Sequence, residues 1–199
     1  MKIGVLGGSF NPIHFGHLLM AESAYEQMEL DKVIFMPLKY PPHKNKEGIL
    51  CDQHRLNMIE LAIQDNPHFE LSKYEIKKDS VSYTAETLSY LTSKNPNDKF
   101  FFILGADSYM MIDKWRQPQT IFKQANILVI NRDNNSSNEL DIKTIDLKKD
   151  YNLNVTYINM PNIGISSTVI RERLKDNLSI KYYMPNSVIH YITKHKIYC

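Results

Sequence analysis

A short stretch at the start of the chain restricts the fold more than any other part of the sequence. Residues 1–17 read MKIGVLGGSFNPIHFGH, in which strand-forming residues are followed by two consecutive glycines and then by two histidines. Apolar residues recur at helical spacing afterwards, so the stretch predicts a strand, a tight turn and a helix. A helix that begins near His14 would direct free backbone N–H groups over the turn. The stretch therefore predicts a binding corner for phosphate.

Two familiar phosphate-binding patterns do not fit this corner. It lacks the G-x-x-x-x-G-K-[ST] of a P-loop, and its glycines do not match G-x-G-x-x-G. His14 and His17 are three residues apart, so they would share one helical turn and face the same way. From the residues alone they could be zinc ligands, packed core histidines or phosphate contacts. A zinc site needs further ligands, and His43 is the one candidate, with no Cys or carboxylate pattern to support it.

The rest of the chain alternates apolar runs with helical patterns. The runs are continuous, which is typical of parallel strands that are covered on both faces. Further strands are predicted at 33–36, 69–76, 100–104, 127–130 and 155–158, and helices follow most of them. We therefore predict an α/β fold, a Rossmann-like doubly wound parallel sheet with helices on both faces, which residues 1–199 form as a single domain.

Three local predictions rest on few residues. Asp52 and Thr84 are predicted to cap the helices that follow them, and Pro118 is predicted to begin a short helix. Residues 131–152 contain Asn, Asp, Ser and Lys with little periodicity. We expect them to form a mobile surface excursion.

Charge and cysteine content narrow the function classes. The chain has 24 basic and 22 acidic residues, a net charge of +2, which does not suit a nucleic-acid binder. Two cysteines are too few for a disulfide framework and fit a reducing compartment. Neither a signal peptide nor a run of about eighteen apolar residues is visible. We expect a cytoplasmic protein with a small charged substrate and with no nucleic-acid or membrane partner, while a homo-oligomer is left open.

Four stretches with chemistry-bearing residues each come after a predicted strand. They are residues 7–17, 39–44, 105–107 and 165–171. In a parallel sheet, ligands bind beyond the carboxyl ends of the strands, near the point where the strand order reverses. The four stretches are therefore expected to converge on one site.

The segment GGSFNPIHFGH resembles the first motif of the adenylyltransferases with the His-x-Gly-His signature, in particular the nicotinate-mononucleotide adenylyltransferases. The family usually has Thr and Asp where this chain has Ser9 and Asn11, and both replacements keep a small hydrogen-bonding side chain. The segment ISSTVIR, residues 165–171, is similar to the second signature of the family. The resemblance covers most of the chain through five segments.

The resemblance implies transfer of the AMP moiety of ATP to nicotinate mononucleotide, which gives nicotinic acid adenine dinucleotide and pyrophosphate during NAD synthesis. ATP and nicotinate mononucleotide are then the expected partners, and Mg²⁺ is expected on the ATP phosphates without a dedicated protein cage. A protein nucleophile is not required, because the attacking phosphate monoester is already mostly dianionic near neutral pH.

The resemblance also implies roles for individual residues. His14 and His17 are assigned to the α-phosphate and Arg171 to the departing pyrophosphate, as the catalytic residues. The backbone N–H groups near Thr84 are expected to lie close to the acid group of the substrate. Trp115 is expected to stack on the pyridine ring. The residues expected to bind ATP are Gly7, Gly8, Ser9, Phe10, His14, His17, Gly105, Asp107, Ile165, Ser166, Ser167, Thr168 and Arg171. The residues expected to bind the mononucleotide are Lys39, Lys44, Tyr83, Thr84, Trp115 and Arg132.

On the residues alone, these assignments have simpler alternatives. Residues 165–171 could be an ordinary capped helix with a solvent-facing arginine, and Asp107 and Thr84 could be plain helix caps. Trp115 could be a core residue, and the cations in loops could be only solvated.

Two other functions are also considered. A phosphopantetheine adenylyltransferase shares both signature types, but the Pro-Pro-His-Lys loop, SYTAETL and the Trp after Gly-x-Asp argue against it. A non-catalytic nucleotide-sensing module would keep the fold. The presence of His14, His17 and Arg171 argues against that second alternative.

Overall fold

The computed structural model describes residues 1–39, 48–78, 81–131 and 137–198. The strands are β1 (Lys2–Gly8), β2 (Lys32–Pro37), β3 (Phe69–Leu71), β4 (Lys99–Gly105), β5 (Ala125–Asn131) and β6 (Val155–Asn159). The helices are α1 (Phe15–Met28), α2 (Asp52–Ile63), α3 (Thr84–Lys94), α4 (Ala106–Met110), α5 (Pro118–Gln124), α6 (Ser137–Asp150), α7 (Ser167–Lys175) and α8 (Asn186–His195), with a 3₁₀ turn at Ile112–Lys114.

Within the described ranges, six strands form one sheet in the order β3-β2-β1-β4-β5-β6. Every pair of neighbours is parallel. The chain enters the sheet at its centre, extends to one edge and then returns to continue on the other side of β1. The carboxyl ends of β1 and β4 therefore flank the point where the order reverses. This confirms the prediction of a Rossmann-like doubly wound parallel sheet.

Each face of the sheet is covered by its own apolar core. Along β4, Phe101 and Ile103 belong to one core, whereas Phe102 and Leu104 belong to the other. Buried side chains of α1, α2, α7 and α8 complete the first core, and those of α3, α4, α5 and α6 complete the second. Burial on both faces explains why the strands appear in the sequence as continuous apolar runs.

The predicted strand at 69–76 is wrong beyond Leu71. β3 pairs with β2 alone, through Val33 to Phe35, and the last backbone hydrogen bond of the pair runs from the Ser72 N–H to the Phe35 carbonyl. The next bond of a parallel ladder would need an N–H from Pro37, which has none. β3 therefore ends early.

The two predicted caps are also wrong. α2 begins at Asp52 itself, with Cys51 as the N-cap and no side-chain cap hydrogen bond. The Asp52 carboxylate instead accepts a hydrogen bond from the Arg55 guanidinium at 2.6 Å. α3 likewise begins at Thr84, with Tyr83 as its N-cap. Pro118 does begin a short helix, α5, as predicted.

The mobile excursion predicted for residues 131–152 is wrong for most of its length. α6 occupies 137–150, and its Leu140 and Leu147 side chains are buried in the second core. Between them, the Thr144 hydroxyl shares hydrogen bonds with the hydroxyls of Tyr109 at 2.6 Å and Tyr157 at 2.7 Å. A polar residue at the centre of the buried face hides the helical period in the sequence. No helix in the described part of the chain is long and apolar enough to cross a bilayer.

Candidate active site

The glycine turn lies where β1 ends, at the carboxyl edge of the sheet. A Cβ on Gly8 would approach the Phe10 ring to 3.2 Å, so the turn can be this tight because Gly8 has no side chain. Phe10 has a left-handed backbone, with φ of 44°, and its side chain is fully buried. Its burial in the first core helps to hold this unfavourable backbone conformation. Gly7 is exposed and Ser9 half-buried in the same turn.

His14 and His17 lie at the start of α1, where they form a reciprocal cap. The Gly16 N–H donates to His14 Nδ1 at 3.1 Å, and the His14 N–H donates to His17 Nδ1 at 3.3 Å. The two rings lie 3.8 Å apart between centroids, which confirms that they share one helical turn. A neutral imidazole that accepts at Nδ1 carries its proton at Nε2. Each ring can therefore act as an Nε2–H donor.

Gly16, between the two histidines, has a steric role. A Cβ at this position would lie 2.9 Å from Nδ1 and Cε1 of His14. Any larger residue would push the His14 ring away from the helix start. The His-x-Gly-His spacing thus follows from the packing of the first ring over the backbone of α1.

The start of α7 directly contacts the residues that follow Gly7 and Gly8, here called the glycine-turn segment (residues 7–12). Arg171 donates from Nη1 to the Asn11 carbonyl at 2.8 Å and from Nη2 to the Thr168 hydroxyl at 3.3 Å. The Ser167 hydroxyl donates to the Pro12 carbonyl at 2.8 Å, across 155 residues of sequence. The alternative of a solvent-facing Arg171 is therefore wrong.

The other residues predicted in this segment lie beside that contact. Ser166 is the N-cap of α7, and its hydroxyl accepts a hydrogen bond from the Val169 N–H at 3.2 Å. Ile165 is half-buried and packs against the first core. Thr168 is exposed in the first turn of the helix. The ordinary Ser cap is thus present, together with the long-range contacts of Ser167 and Arg171.

The turn after β4 lies next to the glycine turn, because β1 and β4 are neighbours. Gly105 ends β4 and is the N-cap of α4, with no side-chain cap hydrogen bond. Asp107 is exposed in the first turn of α4. Asp107 is therefore not the cap of this helix, and its carboxylate is accessible at the edge where the strand order reverses.

A narrow cavity lies beside the glycine turn, at the start of α3. Gly7, Thr84, Phe102 and Trp115 are among the residues that line it. The half-buried Trp115 ring lies edge-on to Phe102, with 6.1 Å between centroids and 72° between planes. Trp115 is therefore packed against the core on one side and borders the cavity as well.

Two more predicted residues lie near this cavity, and two lie outside the described residues. Tyr83, the N-cap of α3, is covered by the Arg116 guanidinium at 4.4 Å from its ring centroid. Lys39 is half-buried, and its backbone N–H lies 3.4 Å from the Ser82 hydroxyl. Lys44 and Arg132 lie outside the residues that the structure describes.

Comparison with known proteins shows which family the chain belongs to. The model of the cytidylyltransferase-like family matches residues 5–173. A probable nicotinate-nucleotide adenylyltransferase of Lachnoclostridium phytofermentans is 42% identical over 197 residues, covering 99% of this chain and 98% of that protein. A protein of the same name from Clostridium perfringens is 41% identical with the same coverage. The chain belongs to the nicotinate-nucleotide adenylyltransferase family.

Solved structures of more distant proteins have the same fold. The nicotinic acid mononucleotide adenylyltransferase of Plasmodium falciparum, complexed with NaAD, is similar with a TM-score of 0.80 and 22% identity, over 99% of this chain and 97% of that one. The same Plasmodium protein complexed with APC gives a TM-score of 0.79 at 21% identity, over 99% and 96%. These likenesses confirm the Rossmann-like architecture.

Arg55 was not predicted from the sequence as part of the site of this adenylyltransferase. Its buried side chain holds together the backbone segments on which the site is built. The guanidinium is fully buried, at 0% exposure. It donates to the Ser9 and Leu38 carbonyls at 2.8 Å each, to the Leu50 carbonyl at 3.2 Å and to Asp52. One cation thus ties the glycine turn to both flanks of the loop between β2 and α2. A signal existed, because Arg55 falls on the apolar face of the predicted helix.

Asn11 is the second residue whose role was missed. Its Oδ1 accepts hydrogen bonds from the Tyr198 hydroxyl at 2.6 Å and the Leu50 N–H at 3.2 Å, while Nδ2 donates to the Gly48 carbonyl at 2.8 Å. Burial raises the pKa of Tyr198, although Arg171 and Arg55 oppose the rise. The Asp that is usual in the family could not donate to Gly48. The Asn11 replacement therefore adds a contact to the glycine-turn segment.

Proposed function

We propose that this chain transfers the AMP moiety of ATP to nicotinate mononucleotide, giving nicotinic acid adenine dinucleotide and pyrophosphate. The observation that carries the proposal is the direct contact between the two motifs, where Arg171 binds the Asn11 carbonyl and Ser167 binds the Pro12 carbonyl. This contact brings a helix start, two imidazoles and a guanidinium to one edge of the sheet. Relatives about 40% identical over the whole chain carry the corresponding name.

The His14 and His17 imidazoles would act at the α-phosphate. In the reaction, a phosphate oxygen of the mononucleotide bonds to the α-phosphorus as the bond to the bridging oxygen breaks. Negative charge shifts toward the pyrophosphate during this exchange, and the α-phosphate oxygens need donors that are already in place. The Nε2–H groups are such donors, because their rings are fixed by the reciprocal cap of α1. They orient and stabilise, and neither has to form a covalent bond.

Arg171 and the start of α7 would receive the pyrophosphate. A guanidinium has five N–H donors, and the two hydrogen bonds to Asn11 and Thr168 use two of them. The backbone N–H groups and hydroxyls of the first turn of α7 add further donors for phosphate oxygens. Arg171 is held on the opposite motif before ATP arrives, so little reorganisation is needed when the leaving group forms.

The cavity beside Trp115 and Thr84 would take the pyridine ring. Trp115 offers an aromatic face to the cationic ring, and free backbone N–H groups at the start of α3 would receive the acid. Tyr83 and Lys39 lie close enough to this region to contact the rest of the mononucleotide. The roles of Lys44 and Arg132 stay predictions, since both lie outside the described residues.

Mg²⁺ would enter on the phosphates of ATP and neutralise part of their charge. In the described parts of the chain, no three His, Cys, Asp or Glu residues are grouped in a way that could hold a metal ion. The exposed Asp107 carboxylate at the end of β4 is an oxygen donor of the type that Mg²⁺ accepts, directly or through water. We expect the phosphates of ATP to supply most of the ligands of the ion.

A substrate panel tests the proposal. Purified protein is incubated with ATP, Mg²⁺ and one acceptor at a time: nicotinate mononucleotide, nicotinamide mononucleotide or phosphopantetheine. Pyrophosphate release gives the rate, and chromatography identifies the adenylylated product. We expect the highest kcat/KM with the nicotinate compound. Transfer to phosphopantetheine alone, or binding of ATP without transfer to any acceptor, would contradict the proposal.

A further inference from the structure

Glu75 is a buried acid in the wall of the cavity beside Trp115. It follows β3, is 2% exposed and lines the same cavity as Thr84 and Trp115. Its Oε1 accepts a hydrogen bond from the Thr87 hydroxyl at 2.5 Å. Its Oε2 is buried and has no hydrogen-bond partner among the described residues. A buried carboxyl oxygen without a partner is unfavourable in a folded protein, so its presence in a binding cavity calls for an explanation.

The surroundings of Glu75 favour its neutral form. Burial raises the pKa of Glu75, while the hydroxyls of Thr87 and Ser82 and the Lys78 ammonium oppose the rise. Because Oε1 already accepts from Thr87, the proton of the neutral acid would sit on Oε2. The unpartnered atom is then a donor.

We infer that Glu75 is a specificity-determining residue, which distinguishes an acid from an amide on the pyridine ring through Oε2. This inference rests on the proposed function. The substrate acid offers only acceptors, so it pairs with an Oε2–H donor and is repelled by an ionised Glu75. The amide has two N–H donors, for which an ionised Glu75 is an acceptor. The same side chain therefore favours the acid when it is protonated and the amide when it is ionised.

This arrangement makes the substrate preference depend on pH. The ratio of kcat/KM for nicotinate mononucleotide to kcat/KM for nicotinamide mononucleotide should fall as the pH rises and Glu75 loses its proton. Titration of the shared phosphate, and of any enzyme group that acts on both substrates alike, cancels in that ratio. We expect the ratio to fall at least about tenfold across the pH range in which Glu75 loses its proton, as a charge-assisted hydrogen bond is replaced by repulsion.

The matched variant is Glu75→Gln, which keeps the shape of the side chain and an oxygen for Thr87. Its amide places an N–H donor where Oε2 was, and it cannot ionise. The variant should therefore favour the acid with a ratio that does not change with pH. Trp115→Ala is the control, because loss of the stacking face weakens both substrates and should preserve the ratio and its pH dependence.

The outcomes separate this inference from the proposed function. A wild-type ratio that falls with pH, together with a constant ratio in Glu75→Gln, supports the role of Glu75. Identical pH profiles of the ratio in both proteins overturn it, while activity with nicotinate mononucleotide would still support the proposed function. If Glu75→Gln does not fold, a constant wild-type ratio overturns the inference by itself. A wild type that uses neither mononucleotide overturns the proposed function as well.

Discussion

The His17 side chain has both a structural role and a chemical role. Its Nδ1 accepts the backbone N–H of His14, and its ring lies edge-on to Phe10 at 4.9 Å. His17→Ala should therefore cost about 0.5–2 kcal/mol of stability, as loss of a cap does. It should also lower kcat by roughly two to three orders of magnitude, because an α-phosphate donor is lost.

The variant His17→Gln separates the structural role from the chemical role. Gln at this helix position can still bond the backbone N–H of the N-cap, but it lacks the imidazole. We expect it to recover most of the stability and little of the activity, measured by urea unfolding and by pyrophosphate release. A Gln variant with wild-type kcat would show that His17 acts only as a cap.

Glu75 also has a consequence for stability, whose sign follows from burial. Because burial raises the pKa of Glu75, the folded protein holds this proton more tightly than the unfolded chain does. The free energy of unfolding should therefore fall as the pH rises from the ordinary range of a carboxyl through the raised pKa. Glu75→Gln removes this loss, so it should be more stable than wild type at neutral pH. Urea unfolding across pH measures the difference, and a difference that grows toward acid pH would contradict the assignment.

Single residues could be predicted where the chemistry is local in the sequence. His14 and His17 lie in one helical turn beside the glycines, so their pairing follows from spacing. Glu75 could not be predicted from its neighbours in YEIKK, and the place of Arg55 on the apolar face of α2 indicated burial without showing which groups it binds. Their importance comes from burial, which only the packed helices produce.

Among the helices, α2 supports the loop beside the site through the hydrogen bonds of Arg55. Arg55→Met would leave the carbonyls of Ser9, Leu38 and Leu50 and the Asp52 carboxylate without their donor. We expect a loss of about 3–5 kcal/mol in the free energy of unfolding. Asp52→Asn is the control, since the Asp52 side chain is 35% exposed and the carbonyl contacts remain. Equal losses in the two variants, measured by denaturant unfolding, would contradict the support role.

Arg171 connects α7 to the glycine-turn segment, and its removal should affect the leaving group most. In the reverse reaction, Arg171→Ala should raise the KM for pyrophosphate more than the KM for the dinucleotide. Arg171→Lys should lie between the two proteins, because it keeps the charge and loses the planar fork. Ser167→Ala removes the bond to Pro12 alone and should change the pyrophosphate KM less. An unaltered KM in Arg171→Ala would exclude this role.

Elements could be predicted where burial is uniform. β1 and β4 are buried on both faces, and their apolar runs predicted them correctly. β3 was too long in the prediction because the limit is set by its neighbour, where Pro37 cannot continue the ladder. α6 was missed because Thr144 interrupts its buried face with a hydroxyl that pairs with two tyrosines. Both errors come from tertiary partners that lie far away in the sequence.

For the whole molecule, the strand order explains why distant segments share a site. β1 and β4 are neighbours at the point where the order reverses, so residues 7–17 and 105–107 must meet there. Their convergence could be predicted from their positions after strands. The bonds of Arg171 and Ser167 to the backbone of Asn11 and Pro12 could not, because they depend on the path of the chain from β6 to α7.

The central claim is that these joined motifs and the cavity beside Trp115 hold one dinucleotide. The most direct measurement is a crystal structure of this protein with nicotinic acid adenine dinucleotide. We predict that the adenylate phosphate lies within hydrogen-bonding distance of Nε2 of His14 and His17. The pyridine ring should lie against Trp115, with its acid at the start of α3. A dinucleotide bound with both its phosphates and its ring away from these residues would contradict the account.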